Sequence, residues 1–246
     1  MRVHLINLDR SPERLAEFIN LNRHLTDVMR FAAVDGRLVD RAPLIEHGII
    51  ESGLAYTDGA LGNALSHFAL WDRAIEDGEA LTLIEDDGIT NRGFEGDAEA
   101  LLRQLPADWH IVYWGWNFDT LAHFELLPGV SSFVANFDQK RLRRGIEAFQ
   151  SAIVVPRLLR LYAAFGIVSY TISPLGAKVL KQLCLPLGNA PVVIPGVNRT
   201  LPNSALDLAL VGLLGRVNAF ASFPPLVVTR NDHSISTTVL RQSECS

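Results

Sequence analysis

The chain has 246 residues, of which 48% are hydrophobic and 20% are charged, and its formal net charge is −5. This balance is typical of a globular protein with enough apolar material for one sizeable α/β domain. Because lysine and arginine are scattered along the chain, the composition argues against a nucleic-acid-binding surface over the whole protein, but not against a local basic pocket for a phosphate.

The cysteines and the apolar segments indicate the expected compartment. Cys184 and Cys245 have no metal-site spacing, which favours a reducing environment. The N-terminal residues contain no long apolar stretch, so we expect no signal peptide. The longest uncharged span, residues 161–177, contains glycine, serine and proline and predicts a strand and a turn rather than a membrane span. We therefore expect a cytoplasmic protein without a transmembrane segment.

The first 36 residues predict a β–α–β unit. The apolar run "VHLIN" (Val3–Asn7) predicts a buried strand. Ser11 can cap a following helix that has Pro12 at its first position. "MRFAAVDG" predicts a second strand that ends in a turn carrying Asp35 and Gly36. This opening is typical of α/β proteins.

Further helices and strands are expected to alternate after that unit. Residues 37–58 look irregular, and a helix begins near Thr57 or Asp58. "ALTLI", "DAEALLRQL" and "HIVYWGW" then predict strand, helix and strand, whereas residues 117–150 are interpreted as a loop or a small hairpin. Ser173 is expected to cap a helix, Asn203 or Ser204 to start another, and a last strand to precede a polar tail.

Three consecutive carboxylates end an apolar strand in "LTLIEDDGIT". If the strand continues through them, Glu85 and Asp87 share one face and Asp86 points to the opposite one. The carboxyl ends of strands are where open α/β sheets bind ligands. Carboxylate oxygens suit Mg²⁺ or Mn²⁺, which would bridge to a diphosphate. The alternative is a solvated loop whose acids face water.

Donor groups for a phosphate lie near two predicted helix starts. Arg10 and Arg14 follow the first strand, where a helix N-terminus attracts anions, although both could be surface residues. Gly62 lies at the start of the later helix and would let a ligand approach the backbone. Ser66 and His67 follow one to two turns further along, and a hydrogen-bonded core histidine is the commoner outcome beside an apolar stripe.

Two later residues have open interpretations. His233 could complete a metal site or simply be exposed in the polar tail. Asp207 follows Ser204 by three residues, which is typical of a capping box. It could instead be a general base at a helix N-terminus, where the helix dipole is expected to keep its pKa low.

Five stretches, in chain order, resemble glycosyltransferase family 25, which includes bacterial lipooligosaccharide galactosyltransferases and animal collagen galactosyltransferases. They are "INLDRSPERLAEF", "FAAVDG", "GALGNALSHFALWDRAIEDGEALTLIEDD", "SYTISPLGAKVL" and "FPPLV". The resemblance runs from about residue 3 to residue 237 and implies a GT-A-like α/β fold with a central mixed sheet flanked by helices. It also implies one domain over residues 1–246, with a donor-binding part of about 1–116 and an acceptor-side, closing part of about 117–246.

The resemblance further implies transfer of a hexose, usually galactose, from a UDP-sugar to a hydroxyl of a bacterial surface glycan, with inversion and with Mn²⁺ or Mg²⁺. The acceptor would be a glycan or a lipid-linked oligosaccharide, with contact to the inner face of the membrane that is peripheral at most. It assigns the metal to Glu85, Asp87 and His233, and catalysis to Asp207 as the base together with Asp86. The implied donor contacts are Asn7, Arg10, Arg14, Asp35, Gly36, Gly62, Ser66 and His67.

The chain departs from the family pattern at two positions. Asn63 replaces a cysteine that is common in the family, and Gly88 replaces an apolar residue. Neither residue is expected to touch the proposed metal ligands. Two other hypotheses stay open: a non-catalytic domain that binds a nucleotide or glycan, and a Mg²⁺-dependent phosphoryl-transfer enzyme, which would need a suitably placed lysine or threonine.

Overall fold

The computed structural model describes residues 1–231 of the chain. Its strands are β1 Val3–Asn7, β2 Val28–Ala32, β3 Leu81–Glu85, β4 Gly88–Thr90, β5 Ile111–Gly115, β6 Leu121–Leu127, β7 Ser131–Asn136, β8 Arg157–Ala164, β9 Ser169–Ile172, β10 Val192–Ile194, β11 Arg199–Leu201, β12 Ala219–Phe223 and β13 Val227–Thr229. Its α-helices are α1 Pro12–Leu21, α2 Arg41–Glu46, α3 Asp58–Asp77, α4 Phe94–Leu102, α5 Gln139–Arg144, α6 Ile146–Ser151, α7 Pro174–Cys184 and α8 Leu206–Val211. Short 3₁₀ helices span Gly36–Leu38 and Leu214–Arg216.

Nine strands form one mixed sheet in the order β2–β1–β3–β9–β5–β12–β8–β6–β7. The pairs β1–β2, β1–β3 and β5–β12 are parallel, and the remaining neighbours are antiparallel. Two small antiparallel pairs, β10–β11 and β13–β4, lie outside this sheet. The prediction of an α/β protein with a central mixed sheet is confirmed, while the GT-A type of that sheet stays a prediction.

Helices bury both faces of the central strands. Along β5, Ile111 and Tyr113 pack into the core cluster that includes Leu61 and Leu180 of α3 and α7. The alternate residue Trp114 packs with Phe94 of α4 on the other side. Successive side chains of a strand point to opposite faces, so a strand covered on both faces is apolar throughout. This explains why β1, β3 and β5 are largely apolar in the sequence, with His4 and Thr82 as buried polar exceptions.

Two glycines let α3 approach the loop after β2 at backbone distance. A Cβ atom at Gly62 would lie 2.4 Å from the Val34 carbonyl oxygen, and one at Gly36 would lie 1.7 Å from the Asp58 carbonyl oxygen. Ser66 Oγ accepts a 2.8 Å hydrogen bond from the Val34 amide and donates to the Gly62 carbonyl. These contacts fix the start of α3 against the carboxyl end of β2.

Several local predictions were wrong for identifiable reasons. Residues 41–46 form α2, because Asp40 accepts a hydrogen bond from the Ala42 amide and caps it. The strand before the acidic triplet ends at Glu85, and Asp86 and Asp87 form a turn into β4. Ala205, rather than Asn203 or Ser204, precedes α8.

The other predicted boundaries agree with the structure more closely. Thr57 caps α3 and Ser173 caps α7, and each side chain accepts a hydrogen bond from a backbone amide of its helix. Residues 117–150 contain the expected hairpin, β6–β7, followed by α5 and part of α6. Within residues 1–231, no helix combines the length and the apolar character that a membrane crossing requires.

Candidate functional site

A cleft of about 390 Å³ lies at the carboxyl ends of β1 and β3. The starts of α1 and α3 form part of its wall, and residues from the later chain, including Gly166 and Thr229, complete it. Nine of the residues predicted for the site line this cleft: Asn7, Arg10, Arg14, Gly36, Ser66, Glu85, Asp86, Asp87 and Asp207. Residues far apart in the sequence therefore meet where an open α/β sheet binds its ligands.

Four predicted site residues are not among those lining the cleft. Gly62 faces the backbone of Val34 and Gly36, so its missing side chain serves packing within the protein. His67 is fully buried behind the cleft wall, and Asp35 lies beside Arg10 and Arg37. His233 lies outside the described residues.

Glu85 ends β3 and is held by two residues of α3. Asn63 Nδ2 donates a 2.7 Å hydrogen bond to Glu85 Oε1, and His67 Nε2 lies 3.6 Å from the same oxygen. The prediction that Asn63 would not touch a proposed metal ligand is therefore wrong. Three residues separate Asn63 from His67, and one helical turn places both beside the same carboxylate.

A buried hydrogen-bond chain fixes which nitrogen of His67 carries the proton. Trp71 Nε1 can only donate, and it does so to the Tyr170 hydroxyl oxygen over 2.7 Å. The hydroxyl proton of Tyr170 then has His67 Nδ1, also at 2.7 Å, as its acceptor. A neutral imidazole that accepts at Nδ1 carries its proton on Nε2, so His67 presents an N–H toward Glu85.

Asp86 is bound by basic and amide donors from α1 and β1. It forms an ion pair with Arg14, and Asn7 Nδ2 donates to its Oδ2 over 2.7 Å. Burial raises the pKa of Asp86, while Arg14 and Asn7 act in the opposite direction. Asp86 therefore points to a basic neighbour.

Asp87 is the least satisfied carboxylate of the triplet. Its Oδ2 accepts a 2.8 Å hydrogen bond from Thr229 Oγ1, whereas its Oδ1 is buried without a hydrogen-bond partner among the described residues. Burial, followed by repulsion from Glu85, raises the pKa of Asp87 to about 6. A buried carboxylate oxygen without a partner is unfavourable, and a bound cation would relieve it.

Asp207 approaches the cleft from the start of α8. Its Oδ2 accepts a 3.2 Å hydrogen bond from the Gly166 amide. Gly166 has a φ of +77°, and a Cβ atom there would lie 2.4 Å from Asn117 Oδ1, so glycine is required at this turn. Burial raises the pKa of Asp207, and Glu85 adds to this effect. The prediction that the helix dipole would keep this pKa low is wrong, because burial outweighs it.

Arg10 and Arg14 supply positive charge to the cleft, and Arg14 does so in direct contact with Asp86. Arg10 Nε lies 2.9 Å from Asp35 Oδ2, and Arg37 pairs with the same carboxylate. Arg37 first, and Arg10 after it, hold the pKa of Asp35 well below its usual range. Asp35 thus orients Arg10 at the rim of the cleft.

The sequence argument missed several residues that shape the cleft: Asn63, Asn117, Gly166 and Thr229. Thr229 had a usable signal, since it is the polar residue that ends the last apolar strand, just as Asn7 and Glu85 end theirs. Its bond to Asp87 depends on the β4–β13 pair, in which Thr229 lies opposite Gly88. Nothing in the local sequence predicts that pairing.

Known proteins place the chain in a family. The model of glycosyltransferase family 25 (LPS biosynthesis protein) matches residues 1–192. A probable inactive glycosyltransferase 25 family member 3 from Bos taurus is 28% identical over 126 residues, covering 46% of this chain and 21% of that protein. Glycosyltransferase 25 family members from Drosophila pseudoobscura pseudoobscura and Aedes aegypti are each 30% identical, over 125 and 128 residues, covering 46% of this chain and 20% and 21% of theirs.

The aligned part corresponds to about a fifth of the length of each of these relatives. A solved structure of a protein from STIV aligns over the full length of both chains at 10% identity with a TM-score of 0.35, which is too low to support a conclusion about the fold. The family match covers well over half of the 246 residues and includes β1, the acidic triplet and α7. The resemblance seen in the sequence is confirmed, and the chain belongs to glycosyltransferase family 25.

Proposed function

We propose that this protein transfers a hexose, with galactose as the leading candidate, from a UDP-sugar to a hydroxyl of a bacterial surface glycan such as lipooligosaccharide. The reaction is inverting and uses Mn²⁺ or Mg²⁺. The observation that carries the proposal is Oδ1 of Asp87, which has no hydrogen-bond partner among residues 1–231 and lies near Glu85 in a cleft that Arg10 and Arg14 also line.

The residues present fit a divalent cation. Asp87 has a free oxygen, and Glu85 is the carboxylate whose repulsion contributes to the raised pKa of Asp87. Among residues 1–231, no group of three or more histidine, cysteine, aspartate or glutamate side chains could hold a metal by itself. Two carboxylates suffice for Mg²⁺-type ions, which usually complete their coordination with water and substrate phosphates.

Glu85 and Asp87 would hold the cation, which when bound supplies charge stabilisation for a departing diphosphate. Arg10 and Arg14 stand at the start of α1, where guanidinium groups and the helix N-terminus bind phosphate oxygens. Asp86, with Asn7, keeps Arg14 in place. Asp86 therefore contributes to catalysis by positioning Arg14.

Asp207 is the better candidate for the general base. The side chains of Asn7 and Arg14 engage both oxygens of Asp86, whereas the Asp207 carboxylate is held by backbone amides, including that of Gly166. Burial raises the pKa of Asp207, which improves its match to a base that works near neutral pH. In the proposed step Asp207 takes the acceptor hydroxyl proton, the hydroxyl oxygen bonds to the anomeric carbon, and the bond from that carbon to UDP breaks.

A non-catalytic nucleotide- or glycan-binding domain is the second candidate. It is favoured by one observation: two relatives carry the words "probable inactive" or "inactive" in their names. The Mg²⁺-dependent phosphoryl-transfer hypothesis finds a threonine, Thr229, beside Asp87, but no lysine is among the described residues that line the cleft. Lys181 pairs with Asp72 instead.

Thermal unfolding with UDP, UDP-galactose and UDP-glucose, each with and without Mn²⁺, tests the proposal. A ligand that binds only the folded state must raise the unfolding temperature. We expect a shift with UDP that is larger when Mn²⁺ is present, followed by transfer from UDP-galactose. No shift with any nucleotide would refute the proposal, and a shift without transfer would favour the second candidate.

Asp87→Asn provides the site-specific test. The amide keeps the shape of the side chain, and Thr229 can still donate to its oxygen, so the protein should fold. We expect the Mn²⁺-dependent part of the shift to disappear, while Asp77→Asn, at the exposed end of α3, retains it. A normal Mn²⁺-dependent shift in Asp87→Asn would place the cation elsewhere.

A further inference from the structure

A second cavity, of about 1000 Å³, adjoins the cleft and is strongly basic. We call it the basic groove, and five arginines line it: Arg23, Arg92, Arg143, Arg144 and Arg230. Glu147 is the single carboxylate among the lining residues. Since the whole chain carries a net charge of −5, this concentration of positive charge runs against its average composition.

Buried hydrogen bonds hold the walls of the groove together. Asn91, which is 2% exposed, donates through Nδ2 to the carbonyls of Phe149 and Ala152 over 2.7 and 2.9 Å. Gln150 Nε2 donates to the Leu21 carbonyl over 2.8 Å. These bonds fasten α6 to the end of α1 and to the segment after β4. The arginines are therefore carried by a rigid frame that several elements build.

Most of the guanidinium charge is not neutralised by carboxylates. Arg23, Arg92 and Arg144 form no ion pair with any residue in the described part of the chain. Arg143 donates to the backbone carbonyls of Arg230 and Asn231, and so fixes the segment after β13. Favourable interaction with a helix C-terminus could explain the arginines at the end of α5 and Arg23, which directly follows the C-cap of α1, but not Arg92.

The basic groove adjoins the cleft, and Arg230 of the groove pairs with Glu17 of the cleft. Leu21 and Arg230 line both cavities. Arg230 directly follows Thr229, whose hydroxyl binds Asp87. A ligand that occupies both cavities would have one end beside the proposed transfer site and its other end among the arginines.

We propose that the basic groove binds an anionic group, a phosphate monoester or a carboxylate, on the acceptor carbohydrate. Guanidinium groups bind both anions through paired hydrogen bonds. The inference rests on the proposed transferase function, because that function makes the ligand next to the donor cleft an acceptor. The groove holds the acceptor by its charge while a neutral hydroxyl reaches Asp207.

The double variant Arg92→Gln/Arg144→Gln tests the inference, because both side chains are exposed and their loss should leave the fold intact. Binding of glucose 6-phosphate, glucuronate and uncharged glucose is measured by calorimetry or NMR titration. We expect the wild type to bind both anionic sugars and not glucose. The double variant should bind the anionic sugars at least about tenfold more weakly, because hydrogen bonds to charged groups are lost. Arg199→Gln, an exposed arginine on β11, is the matched control and should bind normally.

Four outcomes would overturn the inference. The first is that the double variant binds the anionic sugars as tightly as the wild type does, and the second is that the wild type binds glucose as tightly as the anionic sugars. The third is that the double variant also loses the UDP–Mn²⁺ thermal shift, and the fourth is that the wild type binds phosphatidylglycerol vesicles but not the sugars. The third would make the groove part of the donor site, and the fourth would make it a membrane surface. If the wild type binds glucose 6-phosphate but not UDP, the proposed function is refuted and the anion site is still supported.

Raising NaCl from about 50 to about 500 mM should weaken binding of the anionic sugars, because screening acts on exposed charges.

Discussion

The acidic cleft and the basic groove lie side by side, yet they hold their charges in different ways. In the cleft, donors from other elements reach each carboxylate, and burial raises the pKa values of Asp86, Asp87 and Asp207. In the groove the arginines are exposed; Arg143 is held by backbone carbonyls and Arg230 pairs with Glu17. Keeping charge away from water is unfavourable and is expected where the charge takes part in chemistry. Exposed charge of one sign acts instead by attracting a ligand.

Asp207→Asn should have the largest effect of the variants considered, and it should affect transfer in the cleft without affecting binding in the basic groove. We expect the transfer rate to fall by about 100- to 10,000-fold, because an amide cannot accept the acceptor proton. The UDP–Mn²⁺ thermal shift and glucose 6-phosphate binding should both be retained, since neither the metal ligands nor the arginines change. Radiolabelled or coupled assays of transfer from UDP-galactose measure the first effect.

Arg199→Gln is the control for that variant and should transfer at the wild-type rate. If Asp207→Asn keeps more than about a tenth of the activity, Asp207 is not the base, and the functional distinction between the cleft and the groove would need another residue to carry it.

The sequence predicted the acidic half of this comparison far better than the basic half. The strands β1, β3 and β5 are largely apolar, and the polar ends of β1 and β3 meet at one edge of the sheet by a general property of α/β folds. That rule alone brought Asn7 and the acidic triplet together. The turn at Asp86 was not predictable from alternation, because it depends on the pairing of β4 with β13.

The basic groove could not be predicted, because its arginines are scattered over some 200 residues of the chain. They converge only because Asn91 and Gln150 tie α6 to β4 and α1. Such side-chain bonds between distant segments leave no periodic pattern in the sequence. Arg143 and Arg144 do belong to a short basic run, residues 140–144, which the argument from scattered charge overlooked; the run alone does not predict which other arginines meet it in space.

Tyr170→Phe tests whether the tautomer of His67 helps to position Glu85. The substitution removes the acceptor of Trp71 and the donor to His67, which frees His67 to adopt the opposite tautomer. A bare Nε2 would then face Glu85, and we expect Mn²⁺ affinity to fall by about tenfold, as for other partners that orient metal ligands. The ¹⁵N chemical shifts of His67 report the tautomer directly, and glucose 6-phosphate binding should not change.

Tyr113→Phe is the control for this change. Tyr113 is also buried and stacks on Tyr170, but its hydroxyl has no hydrogen-bond partner among the described residues. Removing that hydroxyl should leave the His67 tautomer and the Mn²⁺ affinity unchanged. If both variants lower the affinity equally, the effect comes from packing, and His67 does not position Glu85.

Gly62→Ala should have the smallest effect on ligand binding. It tests whether the cleft depends on the close approach of backbone segments, on which the basic groove does not depend. The added Cβ would lie 2.4 Å from the Val34 carbonyl oxygen and 2.6 Å from the Gly36 amide nitrogen, so α3 must move away from the loop after β2. We expect the free energy of unfolding to fall by about 1–3 kcal/mol, as for other overpacked sites. Gly96→Ala, in α4, is the matched control because nothing lies within 4 Å of its added Cβ, and it should stabilise the protein by up to about 1 kcal/mol. Chemical denaturation measures both changes.

Because Asn63 and Ser66 lie on the displaced turns of α3, UDP binding should weaken in Gly62→Ala while binding of anionic sugars in the groove persists. Equal stability of the two variants would mean that the approach of α3 to Gly36 does not shape the cleft.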